Sequence, residues 1–125
     1  MFKIQGSVIL PLEIVLGTSF IYRSGYRYNN LFRPPRDFLE DYRWNDLRAE
    51  SRGDFRYPDL YQLDFRLEKQ FIIGKYRLSG LLDAFNLFNS NTVLGTQNEV
   101  YNPNYGKVSY IMPPRRFQIG IRFHF

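Results

Sequence analysis

The sequence predicts an all-β chain, an antiparallel meander of about five long strands. Three observations carry that prediction. Apolar and polar residues alternate with period two over long runs, which puts a greasy face on one side of each strand and a wet face on the other. The connections between those runs alternate short, long, short, long. No stretch approaches the roughly 20 apolar residues of a spanning helix, since Val8 to Leu16 is broken by Pro11 and Glu13.

The first strand is expected over residues 2–10, where Phe2, Ile4, Gly6, Val8 and Leu10 alternate with Lys3, Gln5, Ser7 and Ile9. Pro11 lacks an N–H and ends the ladder, so a short turn follows. The second strand is expected over residues 14–28, with Ile14, Leu16, Thr18, Phe20, Tyr22, Ser24, Tyr26 and Tyr28 on one side. At about 3.3 Å per residue it exceeds a typical globular strand and is long enough to cross a bilayer. Residues 29–58 carry Pro34, Pro35, Gly53 and Pro58 with most of the mixed charge, and read as a long loop with room for a short helix within Asp37 to Glu50.

The third strand, residues 60–71, alternates Tyr61, Leu63, Phe65, Leu67 and Phe71 with Gln62, Asp64, Arg66, Glu68 and Gln70. Lys69 interrupts its apolar side near the end, where a lysine snorkels to a membrane interface. A tight turn at Ile73, Gly74 and Lys75 leads to the fourth strand, residues 76–88. Residues 89–114 form a second long polar loop, rich in Asn and Gly. The fifth strand, residues 115–125, sets Phe117, Ile119, Ile121, Phe123 and Phe125 against Arg116, Gln118, Gly120, Arg122 and His124 and runs to the C-terminal aromatic residue. Termini ordinarily fray, whereas the last strand of an outer-membrane barrel alternates up to a terminal aromatic. Such barrels also join their strands by tight periplasmic turns and longer extracellular loops. The expected fold is therefore the C-terminal part of a transmembrane β-barrel, with the two long loops outside.

Composition agrees. The 125 residues are 44% hydrophobic and 18% aromatic, with 12 Phe and 10 Tyr suited to interfacial girdles. Mean hydropathy is only −0.39, as expected when every second residue faces lipid. The formal net charge of +5 does not point to nucleic acid, because the cations are interleaved with acids: Arg36 with Asp37, Glu40 and Asp41 with Arg43, Asp54 with Arg56. No Cys is present, which removes disulfides and thiolate metal sites. Met1 and Phe2 lead straight into strand-like sequence, so no signal peptide is expected at this N-terminus.

Three segments then gain meaning as a set. They are Tyr57 to Lys69 (Y-P-D-L-Y-Q-L-D-F-R-L-E-K), Asp83 to Asn89 (D-A-F-N-L-F-N), and Pro114 to Phe123 (P-R-R-F-Q-I-G-I-R-F). In order and spacing they resemble the C-terminal end of TonB-dependent outer-membrane receptors, in particular the Oar-like receptors with a carboxypeptidase-regulatory-like domain. The likeness covers residues 57–125 and extends more loosely over 2–28. It implies a location in the cell outer membrane and contact with membrane lipid and lipopolysaccharide. It further implies delivery through the barrel-assembly machinery by way of the C-terminal strand, and import of a chelate or oligomer by a full-length parent. That parent closes about 22 strands around a plug. The remaining strands, the plug and the TonB-contacting segment are expected outside these 125 residues, so the chain reads as a fragment of such a receptor. The alternative is a stand-alone soluble or periplasmic β-domain that binds a ligand or partner through its apolar face.

Candidate site residues follow from the faces. Phe117, Ile119, Ile121, Phe123 and Phe125 are expected to face lipid, and Asp64, Arg66, Glu68, Asp83 and Arg122 the lumen, as a charge-compensated ladder or a substrate path. His124 is the single histidine, without a second His or a Cys to make a ligand set. Asn86, Asn89, Asn91, Asn98 and Glu99 offer hard oxygens without the spacing of a calcium loop. No nucleophile and base pair stands at a working spacing, so neither an enzyme nor a cofactor is expected. Tyr42, Trp44, Tyr57, Tyr101, Tyr105 and Tyr110 are candidates for stacking on carbohydrate or lipopolysaccharide, and Arg33, Arg36 and Arg43 for lipid phosphates.

Overall fold

A computed structural model describes residues 1–32, 47–48, 51 and 53–125, with backbone alone at 47–48. Tyr42, Trp44, Arg33, Arg36, Arg43 and most of the segment considered for a helix lie outside the described residues. The strands are β1 (Phe2–Leu10), β2 (Ile14–Arg23), β3 (Arg27–Tyr28), β4 (Leu31–Phe32), β5 (Leu47–Arg48), β6 (Phe55–Arg56), β7 (Leu60–Ile73), β8 (Tyr76–Phe85), β9 (Val93–Thr96), β10 (Val108–Ile111) and β11 (Arg116–His124). The fold is all-β, and the chain divides into two compact units.

The first unit comprises Met1–Ser24, Asp59–Asn91 and Pro113–Phe125. It holds a five-stranded antiparallel sheet in the order β1-β2-β7-β8-β11, an uninterrupted meander. The β1–β2 connection is a single turn, Pro11–Glu13, in which Leu12 and Glu13 adopt positive φ (66° and 57°). The β7–β8 connection has two residues, with Gly74 at φ 62°. A first-position glycine suits the type II′ turn, whose twist matches the flanking strands.

Register builds the two faces. Residues directly opposite across an antiparallel pair share a face, and one row runs Val8, Leu16, Leu67, Leu82, Ile119. Two rows to either side on the same face lie Ile4, Phe20 and Leu63, and Phe71, Leu78 and Phe123. The other face runs Ser7, Gly17, Arg66, Asp83, Gln118. The apolar face stays open: Ile119 is 80% exposed, Ile121 77% and Phe125 99%, where a packed interior would leave such residues under a tenth. Aromatic residues gather at both ends of it, Tyr22 against Tyr61 at 5.2 Å and Tyr76, Phe123 and Phe125 stacked at 5.6 and 6.2 Å.

The second unit, Gly25–Pro58 and Thr92–Met112, is formed by residues of the two long connections. It contains three short antiparallel pairs, β3–β6, β4–β5 and β9–β10, so the stretches expected as irregular loops carry local strands. Tyr57, 7% exposed, is its anchor: the ring packs on Tyr26 and Tyr28 (4.6 and 4.3 Å), and the hydroxyl accepts from the Thr96 N–H at 2.9 Å. Tyr26 donates to the Leu94 carbonyl, and Leu31 donates to the Asn98 carbonyl at 2.7 Å.

Strand ends differ from the sequence prediction in four strands: β11 is one residue shorter at each end than 115–125, β7 is longer, and β2 and β8 stop early for visible physical reasons. The strand expected over 14–28 stops at Arg23 and resumes only as β3. At Gly25 the backbone lies so close to Tyr57 that a Cβ would stand 1.7 Å from its carbonyl oxygen, while the Tyr57 N–H donates to Tyr26 at 3.0 Å. Those contacts take the chain out of the sheet ladder although its period-two pattern continues. The strand expected over 76–88 stops at Phe85, because Asn86 turns left-handed at φ 52°. β7 runs two residues beyond 71, to Ile73.

Candidate functional site

The polar face of the first unit gathers the sheet's paired charges. Asp64, Arg66 and Glu68 alternate along β7, Asp83 comes from β8 and Arg122 from β11, and the register sets all five on this one face. Arg66 and Asp83 are directly opposite, and the guanidinium grips the carboxylate with two bonds, Nε to Oδ1 at 2.6 Å and Nη2 to Oδ2 at 2.9 Å. That fork is the geometry in which an arginine binds a carboxylate most strongly. The Asp83 side chain is 9% exposed and the Arg66 side chain 55%, so the pair is buried on its acidic side and wet on its basic side. Arg122 approaches Glu68 at 3.8 Å. Asp64 accepts from the Gln62 amide at 3.0 and 2.8 Å and from the Asn86 N–H at 2.9 Å.

Beside these charges lies an open concavity of about 600 Å³ whose lining includes Gln5, Ser19, Asp64, Arg66, Asp83 and Phe85. Both of its carboxylates are already engaged, one by an arginine and one by an amide and a backbone N–H. Such a wall presents one carboxylate compensated by an arginine and one held by neutral donors. It offers no free carboxylate for proton transfer. Ser79, 1% exposed and opposite Gln70 and Arg122, keeps its hydroxyl without a hydrogen-bond partner.

The sequence reading missed the part played by Asn86. Its side chain, 3% exposed, donates to the Ser90 and Pro113 carbonyls at 2.9 and 2.8 Å and accepts from the Ser90 N–H at 3.0 Å. Asn89, also left-handed at φ 54°, accepts from the Arg115 N–H at 3.0 Å. The D-A-F-N-L-F-N segment is thus a strand stop that ties the outgoing chain to the returning one. The signal was there in principle, because Asn is the residue that tolerates a left-handed backbone while its amide bonds locally. These two amides spend their oxygens on backbone donors. Among the described residues no group of three His, Cys, Asp or Glu is placed to hold a metal ion. His124 is exposed and stands opposite Arg77. Of the tyrosines considered for stacking, Tyr57 is buried in the second unit, while Tyr101, Tyr105 and Tyr110 are exposed.

Phe117, Ile119, Ile121 and Phe123 lie together on the apolar face, opposite Ala84, Leu82, Gly80 and Leu78, with Phe125 stacked on Phe123 just past the end of β11. No family model matches the chain, and neither a curated protein nor a solved structure matches it.

The ion pair makes a direct prediction. Asp83→Ala leaves Arg66 without its fork partner and is expected to lower stability by about 1 to 3 kcal/mol, within the range for hydrogen bonds to charged groups. Urea unfolding in detergent micelles reads it. The Arg66→Ala, Asp83→Ala double variant is expected to lose less than the sum of the singles, and strict additivity would show that the pair does not interact in solution.

Proposed function

We propose that this chain forms part of the wall of a transmembrane β-barrel in the outer membrane, of the TonB-dependent receptor kind that its three motif segments resemble. The carrying observation is the apolar face, continuous across five antiparallel strands and open over its largest residues, backed by a polar face whose principal charges are paired. In water each exposed Ile or Phe forgoes roughly 1.5 to 3 kcal/mol of burial, and exposed apolar patches above a few hundred Å² are rare on soluble monomers. Against lipid the same face is at home. Its height also fits: from Tyr61 to Phe71 the strand rises about 33 Å, which becomes about 25 Å at a tilt near 40°, the height of a barrel's apolar band.

β1 and β11 each pair on one side only among the described residues. In hydrocarbon, unpaired backbone groups cost several kcal/mol each, so both edges call for further strands of a complete barrel. Import of a chelate or oligomer, with a plug and energy from TonB, belongs on this reading to the assembled receptor. The contribution of this chain is structural: a lipid-facing surface and a compensated inner wall, without catalytic work. The other reading, a soluble β-domain that takes a ligand or partner on the same face, predicts a monodisperse protein without detergent.

Extraction decides between the two. The chain, refolded into phosphatidylcholine vesicles, is expected to float with them after washing in alkaline carbonate and to retain β-structure by circular dichroism. Release of folded, monodisperse protein into the wash would overturn the membrane reading.

A further inference from the structure

The β9–β10 hairpin of the second unit bounds a polar concavity of its own. Residues 97–107 join the two strands, and backbone bonds within the connection fix their path. The Gln97 N–H donates to the Lys107 carbonyl and the Gly106 N–H to the Gln97 carbonyl, both at 2.9 Å, while Tyr105 and Lys107 donate to the Asn102 and Asn104 carbonyls at 2.8 and 3.0 Å. The cavity, of about 480 Å³, is lined by Gln97, Asn102, Asn104, Lys107, Val108 and Ser109. Some of its polar atoms are engaged. The Asn104 side-chain oxygen accepts from the Lys107 ammonium at 3.0 Å, and the Asn102 side-chain oxygen from the Asn104 N–H at 2.9 Å. Glu99, the one acid of the connection, accepts from the Gln97 and Asn102 amide nitrogens at 3.4 Å each and is not part of the lining. Two ammonium donors of Lys107, the Asn104 amide nitrogen, the Gln97 amide oxygen and the Ser109 hydroxyl have no partner among the described residues.

We infer that this concavity binds an acidic sugar, a uronic-acid unit of an oligosaccharide, with Lys107 on its carboxylate and the Asn104, Gln97 and Ser109 side chains on its hydroxyls. The lining carries a single charge, and it is positive, which matches a monoanion better than a dianionic phosphate. Its open neutral groups are of both kinds, donor and acceptor. Sugar hydroxyls are also both, whereas a bare anion would use the donors alone and leave the Gln97 oxygen unmet. Tyr105 and Tyr110 adjoin the lining residues Asn104 and Ser109 in sequence, and with Tyr101 they are exposed, so their ring faces are open to further sugar units of the same chain. The internally bonded backbone holds the polar groups in place before a ligand arrives, which lowers the cost of ordering them on binding. The site lies within the second unit and does not depend on what the apolar face of the first unit meets.

The test titrates the full chain in detergent micelles with trigalacturonic acid, with its fully methyl-esterified form and with acetate, and follows the side-chain amide resonances of Asn104 and Gln97 by nuclear magnetic resonance. Wild type is expected to bind the acid about tenfold more tightly than the neutral ester, the scale of one charge-assisted hydrogen bond. Lys107→Gln is expected to abolish that preference and Lys107→Arg to keep it. Tyr105→Ala should weaken acid and ester alike, and Lys75→Gln, in the first unit, should change neither. Equal binding of acid and ester by wild type, a preference that survives Lys107→Gln, or no shift of either amide at saturating trimer would overturn the site. Acetate bound as tightly as the trimer would overturn the sugar as its ligand. None of these results bears on whether the apolar face meets lipid.

Discussion

Leu67→Arg is expected to destabilise the chain in a bilayer by about 2 to 4 kcal/mol, the cost of an arginine at the midplane on the lipid face of a barrel. Leu67 is chosen by register. Its row, Val8, Leu16, Leu67, Leu82 and Ile119, lies midway between the Tyr22–Tyr61 pair and the stacked Tyr76, Phe123 and Phe125. Leu63, one row inside Tyr61, is close to the boundary, so Leu63→Arg should cost only about 0 to 1 kcal/mol. The comparison is made by unfolding in urea from vesicles. Equal costs at the two positions would mean that depth in a membrane does not govern the effect. In a soluble sheet both substitutions would relieve exposed apolar surface and cost little.

The second large effect does not depend on a membrane. Asn86→Ala is expected to lower stability by about 3 to 5 kcal/mol, because it removes three hydrogen bonds made by a buried side chain and puts a Cβ without local hydrogen bonds at φ 52°. Each lost hydrogen bond costs about 0.5 to 1.5 kcal/mol, and the left-handed backbone adds about 1. Asn86→Gly separates the two causes by restoring backbone freedom without the amide, and should recover about 1 kcal/mol of the loss. Asn86→Asp keeps the acceptor for the Ser90 N–H and loses the donors to the Ser90 and Pro113 carbonyls, so it is expected to fall between wild type and alanine. Urea unfolding followed by circular dichroism checks all three, and an Asn86→Ala variant within 1 kcal/mol of wild type would contradict the strand-stop role.

What was legible in the sequence was what alternation alone determines. β1, β7 and β11 carry period-two patterns, broken only at single positions such as Ile9 and Lys69, and their limits and faces follow from those patterns within two residues. The same rule overran at β2, since Ser24, Tyr26 and Tyr28 continue the alternation while close contact between Gly25 and Tyr57, 32 residues away, bends the chain. Nothing local records that contact. The short strands in residues 29–58 and 89–114 were illegible for a similar reason: pairs of two to four residues are too short to show a period.

The charged face was half legible. Alternation places Arg66 and Asp83 on faces of their own strands, but pairing them requires the register. The two-residue turn at Gly74 and Lys75 provides it, for once Ile73 opposes Tyr76 each residue back along β7 meets its counterpart in β8, and Arg66 arrives at Asp83. The strand-stop role of Asn86 depends on Ser90 and on Pro113, which returns from the far side of a long connection, and no spacing rule reaches that far.

The central claim is that one face of the sheet touches lipid and the other does not. A single Trp placed in turn at positions 117 to 123 of β11, in a Trp44→Phe background, reports the environment of each position. In vesicles with brominated acyl chains, quenching is expected to alternate, strong at the positions of Phe117, Ile119, Ile121 and Phe123 and weak at those of Gln118, Gly120 and Arg122. Quenching that is uniform along the strand, absent throughout, or strong at the even positions would contradict the account.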